Sequence, residues 1–137
     1  MARIGVAMTE QLISVVEDDA FFRDSMRRLM KSLRFSVATF ASAAEFLASA
    51  RLSETSCLIA DVNMPGMTGL ELCRHLSETG SSIPTILVTA YPNEPDRKQA
   101  LRDGALGYLR KPIDEAALLR CLGAALDRRE ADSKDAP

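Results

Sequence analysis

Six polar residues of this 137-residue chain follow short apolar runs, and their types could together bind a metal ion and a phosphate. They are Glu17, Asp18, Asp19, Asp61, Thr89 and Lys111. Several carboxylates in one cleft repel each other, and Mg²⁺ relieves that repulsion where few protein ligands leave room for water and a phosphate oxygen. A lysine balances the remaining charge, and a threonine hydroxyl can donate a hydrogen bond to an oxyanion. The set predicts phosphoryl transfer to Asp61, which would give an acyl phosphate.

The elements that must position these residues alternate along the chain. Strand-like apolar runs occupy residues 12–16, 35–40, 57–60, 84–89 and 107–110. A helical pattern follows each run; the first carries Phe22, Met26 and Leu33 on one face, and Ser42 and Thr68 begin capping boxes. Strands joined by helical crossovers form a parallel sheet that is covered on both faces. We therefore expect a flavodoxin-like, doubly wound α/β fold with five strands in the order 2-1-3-4-5 and five helices.

The predicted fold would bring the six polar residues together. Parallel strands all end at one edge of such a sheet, and ligands bind outside those ends. The length suits one domain. We place that domain at residues 11–127, between a disordered N-terminal extension at residues 1–10 and a polar tail or linker stub at residues 128–137.

The composition excludes several classes of function. The formal net charge of −2 provides no general attraction for nucleic acid. No apolar run approaches the ~20 residues of a membrane span. The cysteines, Cys57, Cys73 and Cys121, lie in apolar surroundings without C-x-x-C spacing, which predicts reduced core thiols in a cytoplasmic protein.

Some residues also have ordinary structural interpretations. Asp19 is well placed to cap the first helix. Phe21 and Phe22 are expected in the core, with one of them able to face the rim of the site. His75 is expected to be exposed on a helix, and Tyr108 taken alone would be a core or surface aromatic residue.

Four segments resemble the receiver domains of two-component response regulators, in order and with family spacing from about residue 12 to residue 127. They are Val16-Glu17-Asp18-Asp19, Asp-Val-Asn-Met-Pro-Gly-Met-Thr-Gly at 61–69, Val88-Thr89-Ala90, and Gly-Ala-Leu-Gly-Tyr-Leu-Arg-Lys-Pro at 104–112. The resemblance implies that Asp61 is the phosphoacceptor and that Thr89 and Lys111 assist the transfer.

The same resemblance implies a metal site and a switch. The Mg²⁺ ligands would be Asp18, Asp61 and the backbone carbonyl of Asn63, with Glu17 acting through a metal-bound water.

Thr89 and Tyr108 match the family's switch pair, a hydroxyl that moves toward the phosphoryl group and a ring that follows it inward. Asn63 and Tyr91 occupy positions expected to control the access of water to the phosphoryl group.

Residues 57–61 and 69–72 look most similar to receivers of the nitrogen-fixation regulator type, which usually precede a helix-turn-helix domain. We expect a receiver without that output domain. A sensor histidine kinase or a phosphotransfer protein would phosphorylate it and an unknown downstream protein would read it, with no direct contact to nucleic acid or membrane. A phosphorylation-dependent homodimer stays open.

Two alternative functions also stay open. One is the detached receiver of a DNA-binding transcription regulator. The other is an aspartyl-nucleophile phosphatase, which wants a second Asp two residues after the nucleophile as general acid and base. This chain has Asn63 there. We therefore expect no enzyme activity beyond self-phosphotransfer and autodephosphorylation.

Overall fold

Each strand-like run of the sequence forms a strand in the computed structural model, which describes the backbone of residues 11–135 and the side chains of residues 11–127. Strands and α-helices alternate as β1 (Leu12–Val16), α1 (Ala20–Ser32), β2 (Ser36–Phe40), α2 (Ala43–Leu47), β3 (Thr55–Asp61), α3 (Gly69–Glu78), β4 (Thr85–Thr89), α4 (Glu94–Arg102), β5 (Gly107–Arg110) and α5 (Glu115–Asp135). A short 3₁₀-helix, Ala50–Glu54, connects α2 to β3. The extension expected at residues 1–10 lies outside the described residues.

The five strands form one parallel sheet in the order β2-β1-β3-β4-β5, which confirms the predicted topology. Asp61, the last residue of β3, pairs with Val88 of β4. Thr89, the last residue of β4, pairs with Arg110 at the end of β5. This register brings the carboxyl ends of the central strands to one edge of the sheet.

Alternate residues of the central strands pack into two cores, one on each face of the sheet. One core includes Phe46 of α2, Leu72 of α3 and Ala100 of α4. The other includes Met30 of α1 and Leu118 of α5. All five side chains are fully buried, and full burial of a Leu, Met or Phe stabilises a fold by roughly 1.5–3 kcal/mol. Because helices cover both faces, the carboxyl edge of the sheet is where the central strands can present polar groups.

The capping predictions hold in one case and in part in the other. Thr68 and Glu71 form the complete box expected at the start of α3. Ser42 caps α2 by accepting a hydrogen bond from the N–H of Glu45. The Glu45 carboxylate, however, accepts from the N–H of Ala41, so the reciprocal bond of the box goes to a neighbouring residue.

Phe21 does not lie in the core, contrary to the prediction. It is 88% exposed, because Asp19 caps α1 by accepting from the N–H of Phe21 and this first-turn position faces solvent. Phe22 packs against the core formed by α1 and α5. His75 is partly exposed on α3.

Helix α5 is longer than the sequence predicted. Its backbone continues to Asp135, whereas a frayed tail or linker stub was expected from residue 128. The residues after Ala125 carry no apolar stripe, but Arg, Glu, Lys and Ala are good helix formers and extend a helix that packing has already nucleated. Within residues 11–135, no helix is long and apolar enough to cross a membrane.

The three cysteines are free thiols, as predicted. Cys57 and Cys73 are buried and Cys121 is half-buried. Burial raises the pKa of the Cys57 thiol to about 12 and that of Cys73 to about 11. Both therefore stay protonated and act as small apolar core residues at neutral pH.

Candidate functional site

Asp61 lies at the carboxyl edge of the sheet, in a cleft that we define by the charged side chains of Glu17, Asp18, Asp61 and Lys111. It is the last residue of β3 and is only 5% exposed. The backbone N–H of Asn63 donates a hydrogen bond to its Oδ1, at 3.1 Å. A carboxylate on a strand that is paired on both sides has a rigid backbone, and this bond also orients its side chain.

Lys111 connects two carboxylates of this cleft. Its Nζ lies 2.8 Å from Oε1 of Glu17 and 3.3 Å from Oδ2 of Asp61. Its backbone N–H donates to the carbonyl of Thr89 at 2.8 Å, which fixes the start of the loop after β5. The Nζ also lies 4.2 Å from the centre of the Phe22 ring, at a distance typical of a cation–π contact.

The charges of the cleft change how Lys111 ionises. Burial acts to lower the pKa of Lys111, but the hydrogen bond that Lys111 donates to Glu17 and the charges of Glu17 and Asp61 outweigh it. The pKa therefore lies above its ordinary value, and the ammonium stays charged at the pH of a cell.

Glu17 is the most buried acid of the site, at 1% exposed. Burial raises its pKa to about 7, and the neighbouring Asp61 adds to the rise. Lys111 and the backbone N–H of Asp19, 3.0 Å from Oε2, act in the opposite direction. A carboxyl group with this pKa changes its charge readily when another cation enters the cleft.

Glu17, Asp18 and Asp61 form an acidic cluster, with one oxygen of each lying within 4.8 Å of the others. Asp18 is exposed at the mouth of the cleft. The Arg23 guanidinium donates hydrogen bonds to the backbone carbonyls of Glu17 and Asp18, at 2.8 and 3.4 Å. These bonds hold the loop between β1 and α1. Three carboxylates with one ammonium leave a net negative cleft of hard oxygen donors, which suits Mg²⁺.

Asp19 has a structural role, as expected from its position. It caps α1 through the N–H of Phe21, and its own N–H donates to Glu17. Its carboxylate does not belong to the acidic cluster. The metal-ligand role of the Asn63 carbonyl stays a prediction.

Thr89 and Tyr108, the predicted switch pair, lie on the neighbouring strands β4 and β5. Thr89 is fully buried. Its hydroxyl donates to Oδ1 of Asn63 at 2.9 Å and accepts from the N–H of Tyr91 at 3.0 Å. Tyr108 is half-buried, and its hydroxyl accepts from the N–H of Asn93 at 3.2 Å. The bond between Tyr108 and Asn93 connects β5 to the loop that precedes α4.

The amino-acid sequence matches a known family. The response regulator receiver domain family matches residues 13–122 of the chain. The chain belongs to that family. Receiver domains are modules of two-component signalling rather than classical enzymes, and they generally bind Mg²⁺ at an acidic pocket. The described residues of this receiver include an acidic cluster of Glu17, Asp18 and Asp61.

The relatives of this receiver include longer regulators. Nodulation protein W of Bradyrhizobium diazoefficiens is 37% identical over 122 residues, which cover 89% of this chain and 54% of that protein. The transcriptional regulatory protein FixJ of Azorhizobium caulinodans is 35% identical, with 88% of this chain and 58% of that protein covered. The chain therefore spans about half the length of these relatives.

Solved receiver structures share the fold. The response regulator StyR superposes with a TM-score of 0.81 at 36% identity, over 91% of this chain and 65% of that one. The FixJ-N structure superposes with a TM-score of 0.76 at 27% identity, over 85% of this chain and 94% of that one. These likenesses agree with the strand order and with the likeness to nitrogen-fixation regulators.

The structure adds two contributions that sequence reasoning missed in this receiver. They are the Arg23 bonds to the β1–α1 loop and the Asn63 side chain on Thr89. Both depend on side-chain orientation, which residue spacing does not reveal. The Phe22 ring beneath Lys111 agrees with the expectation that one of the two phenylalanines could face the rim of the site.

Proposed function

We propose that this receiver accepts a phosphoryl group on Asp61 from a histidine kinase or a phosphotransfer protein in a Mg²⁺-dependent reaction. The observation that carries the proposal is the position of the Lys111 ammonium, which contacts both Asp61 and Glu17 inside an acidic cleft. An ammonium held there can neutralise phosphoryl oxygens as they arrive.

The chemistry is a displacement at phosphorus. An Asp61 oxygen forms the new P–O bond while the P–N bond of the donor's phosphohistidine breaks, and the imidazole nitrogen keeps the electron pair. Mg²⁺, held by Asp18, Asp61 and the Asn63 carbonyl with Glu17 acting through a bound water, would supply positive charge to the phosphoryl oxygens. Lys111 stays beside Asp61 and balances the added negative charge.

The readout is a surface change that starts at Thr89. A new anion on Asp61 attracts the Thr89 hydroxyl, and Tyr108 follows inward, which alters the surface formed by α4 and β5. A downstream protein then reads that surface, either directly or through a phosphorylation-dependent homodimer. Some relatives carry the name of transcription regulators, but this receiver matches only about half of their length.

The test is labelling with acetyl phosphate, followed by intact mass measurement and size-exclusion chromatography. We expect the wild-type chain to gain one phosphoryl group in Mg²⁺ and none with a chelator. Asp61→Asn, which keeps the shape of the side chain, is expected to gain none. Asp24→Asn removes an acid of α1 that pairs with Arg27 and Arg28 outside the cleft, and is expected to label normally. Undiminished labelling of Asp61→Asn would move the acceptor to another residue.

A further inference from the structure

The single proton of the Thr89 hydroxyl is already used in a hydrogen bond in the resting structure. It donates its proton to Oδ1 of Asn63 at 2.9 Å, and it accepts from the N–H of Tyr91 at 3.0 Å. A hydroxyl carries only one proton. Thr89 therefore cannot donate to an oxygen on Asp61 while it donates to Asn63.

The two partners differ in what happens when their bond breaks. Asn63 is exposed, so water can satisfy its amide oxygen. Thr89 is fully buried, and a buried hydroxyl without an acceptor is costly. The bond can therefore be given up at low cost only when another acceptor reaches Thr89, and a phosphoryl oxygen on Asp61 would be such an acceptor.

We infer that Asn63 is a positioning residue whose side-chain amide oxygen holds the Thr89 hydroxyl in the resting state. On phosphorylation, a phosphoryl oxygen must replace Asn63 as the acceptor of the hydrogen bond that Thr89 donates. The inference rests on the proposed function, because it needs a phosphoryl group on Asp61. It assigns a role to the Asn63 side chain that differs from metal binding through the backbone carbonyl and from control of water access.

The inference predicts the direction of a substitution. Asn63→Leu roughly keeps the shape of the side chain and removes the acceptor. The resting state then loses a hydrogen bond that the phosphorylated state does not use. A phosphoryl analogue should bind about two- to tenfold more tightly, the range that corresponds to one neutral hydrogen bond.

A double-mutant cycle tests the coupling to Thr89. Beryllofluoride, an anion that mimics a phosphoryl group on a carboxylate, is titrated in Mg²⁺ against the wild type, Asn63→Leu, Thr89→Val and the double variant, with binding followed by calorimetry. Circular dichroism checks that each variant folds, and Thr89→Ala takes the place of Thr89→Val in the cycle if the valine variant does not fold.

The outcomes distinguish this inference from the proposed function. Tighter binding by Asn63→Leu that disappears in the Thr89→Val background supports the inference. An equal effect in both backgrounds, or weaker binding by Asn63→Leu, would overturn it, because a merely steric role of Asn63 does not need the Thr89 hydroxyl. If beryllofluoride does not bind the wild type at all, the proposed function fails and the inference fails with it.

Discussion

At the scale of single residues, Glu17 carries the strongest link between the site and the stability of the fold. Its carboxyl is buried, and its pKa is raised from 4.5 to about 7, mainly by that burial. Between these two pH values the folded protein binds a proton at Glu17 that the unfolded chain has released. The stability that Glu17 contributes is therefore present at the acidic end and is lost as the pH rises through about 7.

We predict that wild type and Glu17→Gln differ in how their stability depends on pH. The glutamine cannot ionise, so the stability of the variant relative to wild type should rise between pH 4.5 and pH 7. Urea unfolding with a chelator present measures this difference. Added Mg²⁺ should shrink it, because a cation in the cleft favours the ionised carboxylate. Parallel pH profiles for the two proteins would show that Glu17 titrates at its ordinary pKa.

The shared position of the candidate site residues could be predicted from the sequence, because a parallel sheet presents its strand ends at one edge. Asp61, Thr89 and Lys111 needed only a correct assignment of strands and helices. The Asn63 amide on Thr89 could not be found in this way, since it depends on one rotamer in a loop. The pKa of Glu17 was likewise hidden, because burial is a property of the packed fold.

At the scale of elements, the start of α3 packs closely against the backbone of Asp61 at the end of β3 and so helps to hold Asp61 in place. A Cβ added to Gly69 would overlap the carbonyl oxygen of Asp61 and lie 2.8 Å from its carbonyl carbon. The N–H of Gly69 also donates to the carbonyl of Val62 at 3.1 Å. Only glycine lets the two backbones approach so closely.

Gly69→Ala should damage both the fold and the site. We expect a loss of about 1–3 kcal/mol in the free energy of unfolding, which is typical of overpacking against a rigid backbone, together with slower labelling by acetyl phosphate. Urea unfolding and the rate of labelling measure the two effects. Gly123→Ala in α5 is the matched control, because a Cβ there meets nothing within 4 Å.

The control should gain stability, since alanine favours a helix interior over glycine by about 1 kcal/mol. It should label at the wild-type rate, because Gly123 lies far along α5 from the loop that carries Lys111. If Gly69→Ala matched the wild type in stability and labelling, α3 would have to be able to move away from β3 without cost. The importance of this contact could not be predicted from sequence, because the close approach of the two backbones is a property of the packed fold.

At the scale of the whole molecule, helices must pack on both faces of the sheet for its carboxyl edge to hold the candidate site residues together. Apolar periodicity predicted the strands and both helical layers, because it marks the buried faces directly, whereas the strand order followed from the doubly wound fold class. The sequence was less informative about the extent of α5, where helix propensity continues after the burial of apolar residues has ended. Among the described side chains of α5, those buried in the core are Leu118, Leu122 and Ala125.

The predicted domain boundaries can be tested by shortening α5 at different residues. We propose that residues 11–127 form the complete receiver, so a chain shortened to them should unfold cooperatively and should still label on Asp61 with acetyl phosphate. The reason is that its α5 keeps Leu122 and Ala125, which are 2% and 0% exposed. A chain of residues 11–120 lacks both side chains and opens the core between α1 and α5.

The 11–120 chain should lose several kcal/mol in the free energy of unfolding, since truncation of one buried leucine to alanine costs about 2–5 kcal/mol. That chain should also fail to label with acetyl phosphate. Urea unfolding followed by circular dichroism compares the two chains with the full protein. Failure of the 11–127 chain to fold would mean that residues outside it complete the core. Equal stability of the two shortened chains would mean that the sheet holds the Asp61 cleft without the second half of α5.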